Sequence, residues 1–372
     1  MTKILVIMLA RGVGGLERRT ATMYRYLTRH PTGCRITFLV NRAQVALLQQ
    51  HYRYMDQTGC CRLVTFGLPY QGIFKKSDNL SYIIDYSFLL VALLRLRLYN
   101  HFDIAYFTKF SSLPLRHVVP SKHNILALVD SHTTSRIVDS RIFDKILNES
   151  FTIDCLSRDL RSIVLNRKKI PPDQVHATPC SFIDYSNTEI GEKAKIVTFC
   201  GRLAAGKGLD LLLPVIPELL EAHPDLTIHV LGDGPLLPEV EKAVQNLNSE
   251  CFTVQFATDP ASFLKNSLIF LSLQEKENYP SQSLLEAMAC GNAVIATDVG
   301  LTRKLVNEQV GLLIPSDQNR LLDAIHQLLR NPARTAQMGK NARKTVLAVH
   351  TVEKYINYFT HELIPASGKS EY

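Results

Sequence analysis

The stretch KIVTFCGRLAAGKGLDLLLPVIPELLEAH (195–223) decides the fold of this chain. Residues 195–200 form an apolar run typical of a buried strand, a glycine-rich turn follows, and leucines at helical spacing come next. Pro214 and Pro217 are expected to divide the helical part into short pieces. The stretch KILVIMLARGVGGLERRTATMYRYL (3–27) repeats the order of strand, glycine turn and helix, so the same structural unit begins twice.

Further apolar runs follow each of these starts and are separated by stretches of helical periodicity. They are RITFLV (35–40), DIAYF (103–107), ILALV (125–129), LTIHVLG (226–232), LIFLSL (268–273) and AVIAT (293–297). Strands that alternate with helices indicate right-handed βαβ units and a parallel sheet covered on both faces. The prediction is an α/β protein with two Rossmann-like domains.

The chain has 372 residues, which at about 150 residues per domain also predicts two domains. The polar, aperiodic stretch 183–195 is interpreted as the linker between them. We expect an N-terminal domain over 1–185 and a C-terminal domain over 190–350. The amphipathic helix 351–366 is expected to pack back on the first domain.

Composition excludes several classes of protein. No apolar run approaches the ~18 residues of a membrane span, and the first ten residues lack a signal-peptide cleavage site. Eight cysteines without C-x-x-C spacing indicate a reducing compartment, so a cytoplasmic protein is expected. Residues 1–180 carry 25 Lys and Arg against 12 Asp and Glu. This basic half would attract anionic lipid, nucleic acid or phosphorylated substrates, and charge alone does not choose among them.

The two glycine turns differ from the commonest nucleotide-binding motifs. Gly12 and Gly14 match the first two glycines of G-x-G-x-x-G, but Glu17 occupies the third position, which argues against a dehydrogenase. The turn 201–208 matches G-x-x-x-x-G-K, but Gly208 stands where a Ser or Thr must bind magnesium. An ATPase is therefore disfavoured.

Read with the segment ENYPSQSLLEAMACGNAVIATDVG (277–300), these turns resemble the retaining, nucleotide-sugar-dependent glycosyltransferases of family 4. The matching stretches are GGLE (14–17), GRLAAGKGLDLLL (201–213), LGDGP (231–235), SLLEAMACGNAVIAT (283–297), VGLLIP (310–315) and MGKNAR (338–343). The resemblance implies the GT-B fold, in which two Rossmann-like domains face each other across a cleft. It places the acceptor in the first domain and the donor in the second.

The resemblance assigns catalytic roles to Arg202 and Lys207, which match the family's R-x-x-x-x-K-G motif. These cations would face the oxygen of the leaving diphosphate, where negative charge develops in the transition state. The chain contains no D-x-D motif of the kind that holds a metal ion in other glycosyltransferases. We therefore expect a metal-independent reaction and no metal ligands.

Glu286 has two interpretations that the sequence leaves open. With Ser283 it forms the S-x-x-E pattern of a capping box at a helix start. In the family, the equivalent Glu accepts hydrogen bonds from the ribose hydroxyls of the nucleotide. The resemblance also implies that the backbone N–H groups of Ser283, Leu284 and Leu285 face the phosphates.

The first Glu of the family's E-x7-E pair has no exact match. Asn278 stands eight residues before Glu286, whereas Glu277 stands nine before it. We choose Glu277 as the residue that contacts the donor sugar, with Glu275 and Asn278 as alternatives. His132 stands where the family often has a His that contacts the donor sugar, with Asp130 as the alternative.

The remaining predicted nucleotide-binding residues lie in the turns after the strands: Gly14, Gly15, Gly201, Gly232 and Asp233. Glycine allows a phosphate to approach the backbone closely at the start of a helix. The alternative for either turn is a purely structural glycine at a helix start. Glu17 is expected either near the active site or as a helix cap.

These observations predict a retaining glycosyltransferase that moves a sugar from a nucleotide-sugar, expected to be UDP-linked, to a glycan or lipid-linked acceptor. Cell-surface polysaccharide or glycolipid synthesis is the expected setting. No cofactor is expected besides the donor substrate, and no nucleic acid partner. The alternatives are a catalytically inert GT-B binding subunit and a sugar-nucleotide epimerase of the same fold.

The stretch NLSYIIDYSFLLVALLRLRLY (79–99) carries Arg95 and Arg97 inside an otherwise apolar helix. It is interpreted either as a helix that faces the core with snorkelling arginines or as a helix that docks on an anionic membrane surface. The second interpretation would make the protein peripheral on the inner membrane face.

Overall fold

The computed structural model describes residues 1–10, 14–52, 59–68, 79–119, 121–129, 131–147, 151–168, 170–185, 188–257, 259–276, 279 and 281–367. The chain divides into two units. The first unit comprises Met1–Phe182 and Val352–Tyr372, and the second comprises Ile183–Thr351.

The first unit contains a parallel sheet of seven strands in the order β3-β2-β1-β4-β5-β6-β7. The strands are β1 (Thr2–Met8), β2 (Cys34–Asn41), β3 (Cys61–Phe66), β4 (Phe102–Phe107), β5 (Ser121–Leu128), β6 (Thr152–Cys155) and β7 (Val175–Ala177). The helices are α1 (Gly15–Leu27), α2 (Arg42–Leu47), α3 (Gln49–Tyr52), α4 (Asn79–Tyr99), α5 (Ser131–Val138), α6 (Arg141–Leu147) and α7 (Arg158–Arg167), with 3₁₀ turns at Phe110–His117 and Pro172–Gln174.

The second unit contains a parallel sheet of six strands in the order β10-β9-β8-β11-β12-β13. The strands are β8 (Ala194–Cys200), β9 (Thr227–Leu231), β10 (Phe252–Gln255), β11 (Ser267–Ser272), β12 (Ala293–Thr297) and β13 (Gly311–Ile314). The helices are α8 (Leu209–Leu212), α9 (Ile216–Ala222), α10 (Leu237–Leu247), α11 (Ala261–Leu264), α12 (Gln282–Ala289), α13 (Gln318–Leu329) and α14 (Pro332–Val349), with 3₁₀ turns at Leu213–Val215 and Thr302–Lys304. The expected division at Pro214 and Pro217 is confirmed, because each proline lies in the first turn of a new helical piece.

Each sheet is apolar on both faces, as parallel sheets covered by helices are. Along β1, Ile4, Val6 and Met8 belong to one core cluster, whereas the intervening Leu5 and Ile7 belong to another. Successive side chains of a strand point to opposite faces, so the continuous apolar run supplies both. The prediction of two Rossmann-like domains is confirmed.

The C-terminal segment returns to the first unit as α15 (Val352–Tyr358), a π-helical turn (Phe359–Leu363) and α16 (Ile364–Ser367). Tyr358 Oη donates a hydrogen bond to Asp154 Oδ1 at 2.7 Å, and Tyr106 Oη donates to Asp154 Oδ2 at 2.7 Å. Burial raises the pKa of the Asp154 carboxyl although both hydroxyls favour its ionised form. Because this buried carboxyl accepts from a strand on one side and from α15 on the other, it fixes the returning segment on the sheet.

The polar stretch 183–195 is part of the second unit rather than an independent linker. Gly191 N–H donates to Lys265 O at 3.0 Å, and Lys193 Nζ donates to Cys290 O at 2.8 Å. Its low hydrophobicity reflects backbone and charged contacts that leave no apolar period in the sequence. Among the described residues, no helix has the length and apolar character of a membrane span.

Candidate active site

In the second sheet, the order in which successive strands are added reverses between β8 and β11. Strands β9 and β10 extend from β8 to one side, and β12 and β13 extend from β11 to the other. In doubly wound sheets this switch point leaves a crevice at the carboxyl ends of the strands, where ligands bind. The turn 201–208 follows β8 and the segment 273–276 follows β11, so both lie at this edge.

The turn 201–208 follows a path that requires glycine. Gly206 and Gly208 have φ angles of 76° and 83°, a region that side-chain-bearing residues rarely adopt. A Cβ on Gly208 would lie 2.1 Å from Leu273 O. Glu275 N–H donates to Gly206 O at 3.1 Å. The turn is therefore held against the segment that follows β11.

The turn after β9 packs against the same glycine-rich turn. Gly201 N–H donates to Leu231 O at 3.0 Å, and Leu203 N–H donates to Asp233 O at 3.0 Å. A Cβ on Gly232 would lie 1.9 Å from Gly201 O. The structure thus brings together three of the residues that the sequence singled out, Gly201, Gly232 and the exposed Asp233.

Arg202 and Lys207 lie in the turn 201–208 with different exposure, because Arg202 is exposed and Lys207 is half-buried. Lys207 Nζ donates to Gln274 Oε1 at the long distance of 3.5 Å. The pKa of Lys207 is lowered, first by burial and then by the positive charge of Arg202. Within the described part of the chain neither cation forms an ion pair with an acid. An anion bound near both cations would favour the charged form of Lys207 and so oppose the lowering of its pKa.

Helix α12 begins two residues before the capping box that the sequence predicted. Its N-cap is Ser281, whose hydroxyl contacts Ser283 Oγ at 3.1 Å, and Gln282 is the first helical residue. Glu286 is therefore the fifth residue of the helix, beyond the third position that a capping box requires. The capping interpretation of Ser283 and Glu286 is wrong, and the half-buried Glu286 carboxylate lies within the helix.

Leu284 and Leu285 offer only backbone to a ligand, since both side chains are buried in the core. Leu285 N–H donates to Ser281 O at 3.0 Å and is thus used inside the helix. The amides of Ser283 and Leu284 precede this first helical hydrogen bond. Of the three predicted phosphate-facing amides, these two keep the required position at the helix N-terminus.

The region before α12 is only partly described. Glu277 and Asn278 lie outside the described residues, so the choice of Glu277 as the sugar-contacting acid stays a prediction. The alternative Glu275 is exposed, and its backbone is bonded to the turn at Gly206.

The first unit places Gly14 and Gly15 at the start of α1, directly after the switch between β1 and β4. Gly14 N–H donates to Glu17 Oε2 at 2.9 Å, which is the capping arrangement expected of an acid at the third helical position. The other oxygen, Glu17 Oε1, lies 2.5 Å from Lys109 Nζ, and the Glu17 side chain is buried. Glu17 is thus both a helix cap and an ion-pair partner.

Lys109 is a candidate functional residue that the sequence patterns did not indicate. It follows β4 by two residues and is partly exposed at the carboxyl edge of the first sheet. The sequence indicates only that Lys109 follows the predicted strand DIAYF (103–107). Its contact with Glu17 depends on β1 and β4 being neighbours in the sheet. His132 lies in α5 just after β5, and its side chain, like all of Asp130, lies outside what the structure describes.

No group of three or more His, Cys, Asp or Glu within the described ranges is arranged to hold a metal ion. The charged groups at the second switch point, Arg202 and Lys207, are suited instead to an anionic ligand.

Residues 184–345 match the family model described as "Glycosyl transferases group 1". Over 154 residues, 40% of this chain and 39% of the relative, the sequence is 27% identical to an alpha-D-kanosaminyltransferase of Streptomyces kanamyceticus. Over 214 residues, 56% of this chain and 43% of the relative, it is 24% identical to a subunit of the phosphatidylinositol N-acetylglucosaminyltransferase of Homo sapiens. The chain spans less than half the length of these two relatives.

Solved structures share the fold over almost the whole chain. Anabaena Alr3699/HepE in complex with UDP and glucose matches with a TM-score of 0.71 at 16% identity, covering 98% of this chain and 100% of that one. The sucrose-phosphate synthase of Thermosynechococcus elongatus matches with a TM-score of 0.73 at 18% identity, covering 99% of this chain and 100% of that one. The two parallel sheets are those of the GT-B fold.

Proposed function

We propose that this chain, whose residues 184–345 match the model of the group 1 glycosyl transferases, is a retaining, metal-independent glycosyltransferase of family 4. It transfers a sugar from a UDP-linked donor, bound by the second unit, to a saccharide or lipid-linked acceptor, bound by the first. The retaining outcome rests on the resemblance of its motifs to that family.

The observation that carries the proposal is the pair of cations at the second switch point. Cleavage of the anomeric C–O bond leaves negative charge on the departing diphosphate and gives the sugar ring oxocarbenium character. Arg202 and Lys207 are held in a turn that backbone contacts fix on two sides. Preorganised positive groups that meet developing charge are often the largest catalytic contribution, on the order of 3 kcal/mol for each group.

Donor binding is supported by the residues of α12. The amides of Ser283 and Leu284 suit a phosphate at the helix N-terminus, where the helix dipole also favours negative charge. Glu286, which does not cap the helix, suits the two ribose hydroxyls, which donate well to an ionised carboxylate. Two solved structures of Alr3699/HepE are complexes with UDP or UDP-glucose, which supports uracil as the base of the donor nucleotide.

Metal independence is supported by the same cations. They supply at the diphosphate the positive charge that a divalent ion supplies in enzymes with a D-x-D motif. We expect full activity in EDTA without added manganese. Activity that disappears in EDTA and returns with manganese would contradict this part of the proposal.

The acceptor is proposed from charge and from one relative. The first half of the chain is basic, and the name of the human relative includes phosphatidylinositol, a membrane lipid. A lipid-linked acceptor would place the protein at a membrane surface, in polysaccharide or glycolipid synthesis. The eight cysteines without C-x-x-C spacing favour the inner, cytoplasmic face.

Thermal-shift measurements against UDP, GDP, ADP and their sugars test the donor site. A ligand that binds only the folded state raises the melting temperature by mass action, so UDP and one UDP-sugar should produce the largest shifts. Slow hydrolysis of that UDP-sugar, with release of UDP, should follow. Binding without release of UDP would indicate an inert subunit, and conversion of the sugar without its release would indicate an epimerase.

A further inference from the structure

Helix α4 is apolar on two opposite sides, and within the part of the chain that the structure describes one side is buried and the other is exposed. Leu89 and Leu93 are fully buried in the core cluster of the first unit, and Leu96 is nearly so. A helix that packs on one side of a soluble protein normally has a polar opposite side. The second apolar side of α4 therefore needs a separate explanation.

The uncovered side forms a stripe along the helix, defined by Phe88, Val91, Leu94, Leu98 and Tyr99 and called the α4 stripe. Leu98 and Tyr99 are 75% and 84% exposed, and Val91 and Leu94 are 46% and 47% exposed. Spacings of three and four residues place Val91, Leu94 and Leu98 next to one another on the helix surface. At 1.5 Å per residue the stripe extends for about 16 Å. Contiguous exposed apolar surface of this kind marks an interaction site.

The charges around the stripe indicate which partner it fits. Arg95 and Arg97 are exposed on α4, whereas the helix's only acid by sequence, Asp85, is buried on the side that faces the core. An apolar stripe accompanied by arginines, without acids, matches a bilayer surface whose lipids are anionic. The excess of Lys and Arg over residues 1–180 favours the same partner.

We propose that the α4 stripe docks on an anionic lipid bilayer, with α4 lying in the plane of the interface. Its apolar side chains enter the boundary between headgroups and acyl chains while Arg95 and Arg97 contact lipid phosphates. Of the two sequence interpretations of 79–99, the core-facing helix is confirmed by Leu89 and Leu93, and the membrane-docking helix is the one proposed for the opposite side. This inference deepens the proposed function by naming the partner of the first unit, and it rests on that function only for the statement that the acceptor is lipid-linked.

Vesicle flotation tests the proposal with the unmodified full chain. We expect binding to vesicles of phosphatidylcholine and phosphatidylglycerol at 3:1 and much weaker binding to phosphatidylcholine alone. The double variant Leu94→Ser, Leu98→Ser should lower the partition coefficient at least about tenfold, since it removes apolar area from the stripe. Arg95→Gln should lower it about fivefold on the anionic vesicles only.

Phe256→Ser is the matched control, because Phe256 is also an exposed apolar side chain, 65% exposed, but lies in the second unit. It should bind vesicles like the unmodified chain. Unchanged binding of the Leu94→Ser, Leu98→Ser variant would overturn the proposal, and so would equal losses in that variant and in Phe256→Ser.

Two further measurements separate the other outcomes. Sedimentation velocity without lipid should give a monomer, and a dimer that the Leu94→Ser, Leu98→Ser variant dissociates would assign the stripe to a second copy of the chain instead. Circular-dichroism melts should give the same unfolding transitions for this variant as for the unmodified chain, which shows that the first unit is folded, and calorimetry with UDP should give the same affinity, because the donor site lies in the second unit. Vesicle binding without any UDP binding would contradict the proposed function and leave the docking surface standing.

Discussion

The two sheets share the strand order of a doubly wound fold, yet the turns at their switch points treat positive charge differently. In the second unit, Arg202 and Lys207 lie close enough for their charges to repel, and no described acid is paired with either. In the first unit, Lys109 is paired with the buried carboxylate of Glu17. Topology supplies the position in both cases, and the neighbouring acid decides whether the cation stays available for an anionic substrate. This difference favours the second unit as the place of the diphosphate site.

The sharpest way to break this comparison is to remove the cations of the second unit. We expect Arg202→Ala and Lys207→Ala each to lower kcat about a hundredfold or more, because each contact strengthens as charge develops on the leaving oxygen. Lys242→Ala removes an exposed cation from α10 and serves as the control. Steady-state kinetics on the UDP-sugar identified by thermal shift would measure the effect. A folded Arg202→Ala or Lys207→Ala with normal kcat would remove that residue from the catalytic site.

The path of the turn can be tested separately from its charges. Gly208→Ala places a Cβ 2.1 Å from Leu273 O at a positive φ, so we expect it to cost about 2 kcal/mol of stability and to weaken UDP binding. Gly201→Ala is the matched change, since the nearest atom to its Cβ would be 3.9 Å away. Denaturant unfolding compares the two variants. Equal stabilities would mean that the turn tolerates a different path.

Glu286→Gln separates ribose binding from helix stability. Gln keeps the size of the side chain but loses the charge and one acceptor oxygen, so UDP affinity should fall at least about tenfold, or ~1.4 kcal/mol. The melting temperature should stay within a few degrees, because Glu286 does not cap α12. Calorimetry with UDP measures the affinity, and an unchanged value would require a new map of the donor site.

In the first unit the corresponding change should affect stability rather than donor binding. Glu17→Gln retains an oxygen for the Gly14 amide but removes the carboxylate from Lys109. We expect a loss of about 1 kcal/mol or less in the free energy of unfolding, because Lys109 is partly exposed. Lys109→Met is the partner variant, and a double-mutant cycle isolates the pair. A large loss of UDP affinity in Glu17→Gln would contradict the contrast between the two turns.

The smallest expected effect is a pH dependence of the second unit. His223 Nε2 lies 2.8 Å from His326 Nδ1, and the pKa of His223 is lowered, first by burial and then by His326. The unfolded chain therefore takes up a proton at higher pH than the folded one, near the ordinary value of about 6.5. Stability should be full above that pH and decline as the pH falls below it. Thermal melts between pH 8 and pH 5 should show this decline, and His326→Gln should reduce it.

The sequence predicted the glycine-containing turns of the second unit but not the first residue of α12. The turns 201–208 and 231–235 were recognisable because close backbone approach requires glycine, as at Gly208 and Gly232. The start of α12 was misplaced because Ser281 and Ser283 are equally good N-caps by residue type, and only the path of the chain chooses between them. The S-x-x-E pattern of Ser283 and Glu286 indicated Ser283 as the N-cap, whereas the N-cap is Ser281.

Pairings across the sheet were beyond the sequence for a different reason. The contact between Glu17 and Lys109 spans 92 positions and depends on β1 and β4 being neighbours. Strand order was not predicted, so the acid and the base could not be matched. The stretch 183–195 was likewise interpreted as a linker, since hydrogen bonds such as that of Gly191 leave no hydrophobic pattern.

The return of α15 to the first sheet has a consequence for biosynthesis. Tyr355, Tyr358 and Phe359 complete a core cluster whose other members come mainly from before residue 183. Translation therefore adds every residue of the second unit before it adds the aromatic residues that complete the core of the first unit. Domains generally fold as units while the chain emerges. The second unit, although it is synthesised later, can therefore finish folding before the first. Until Tyr358 has been synthesised, the Asp154 carboxyl lacks the hydrogen bond that this residue donates.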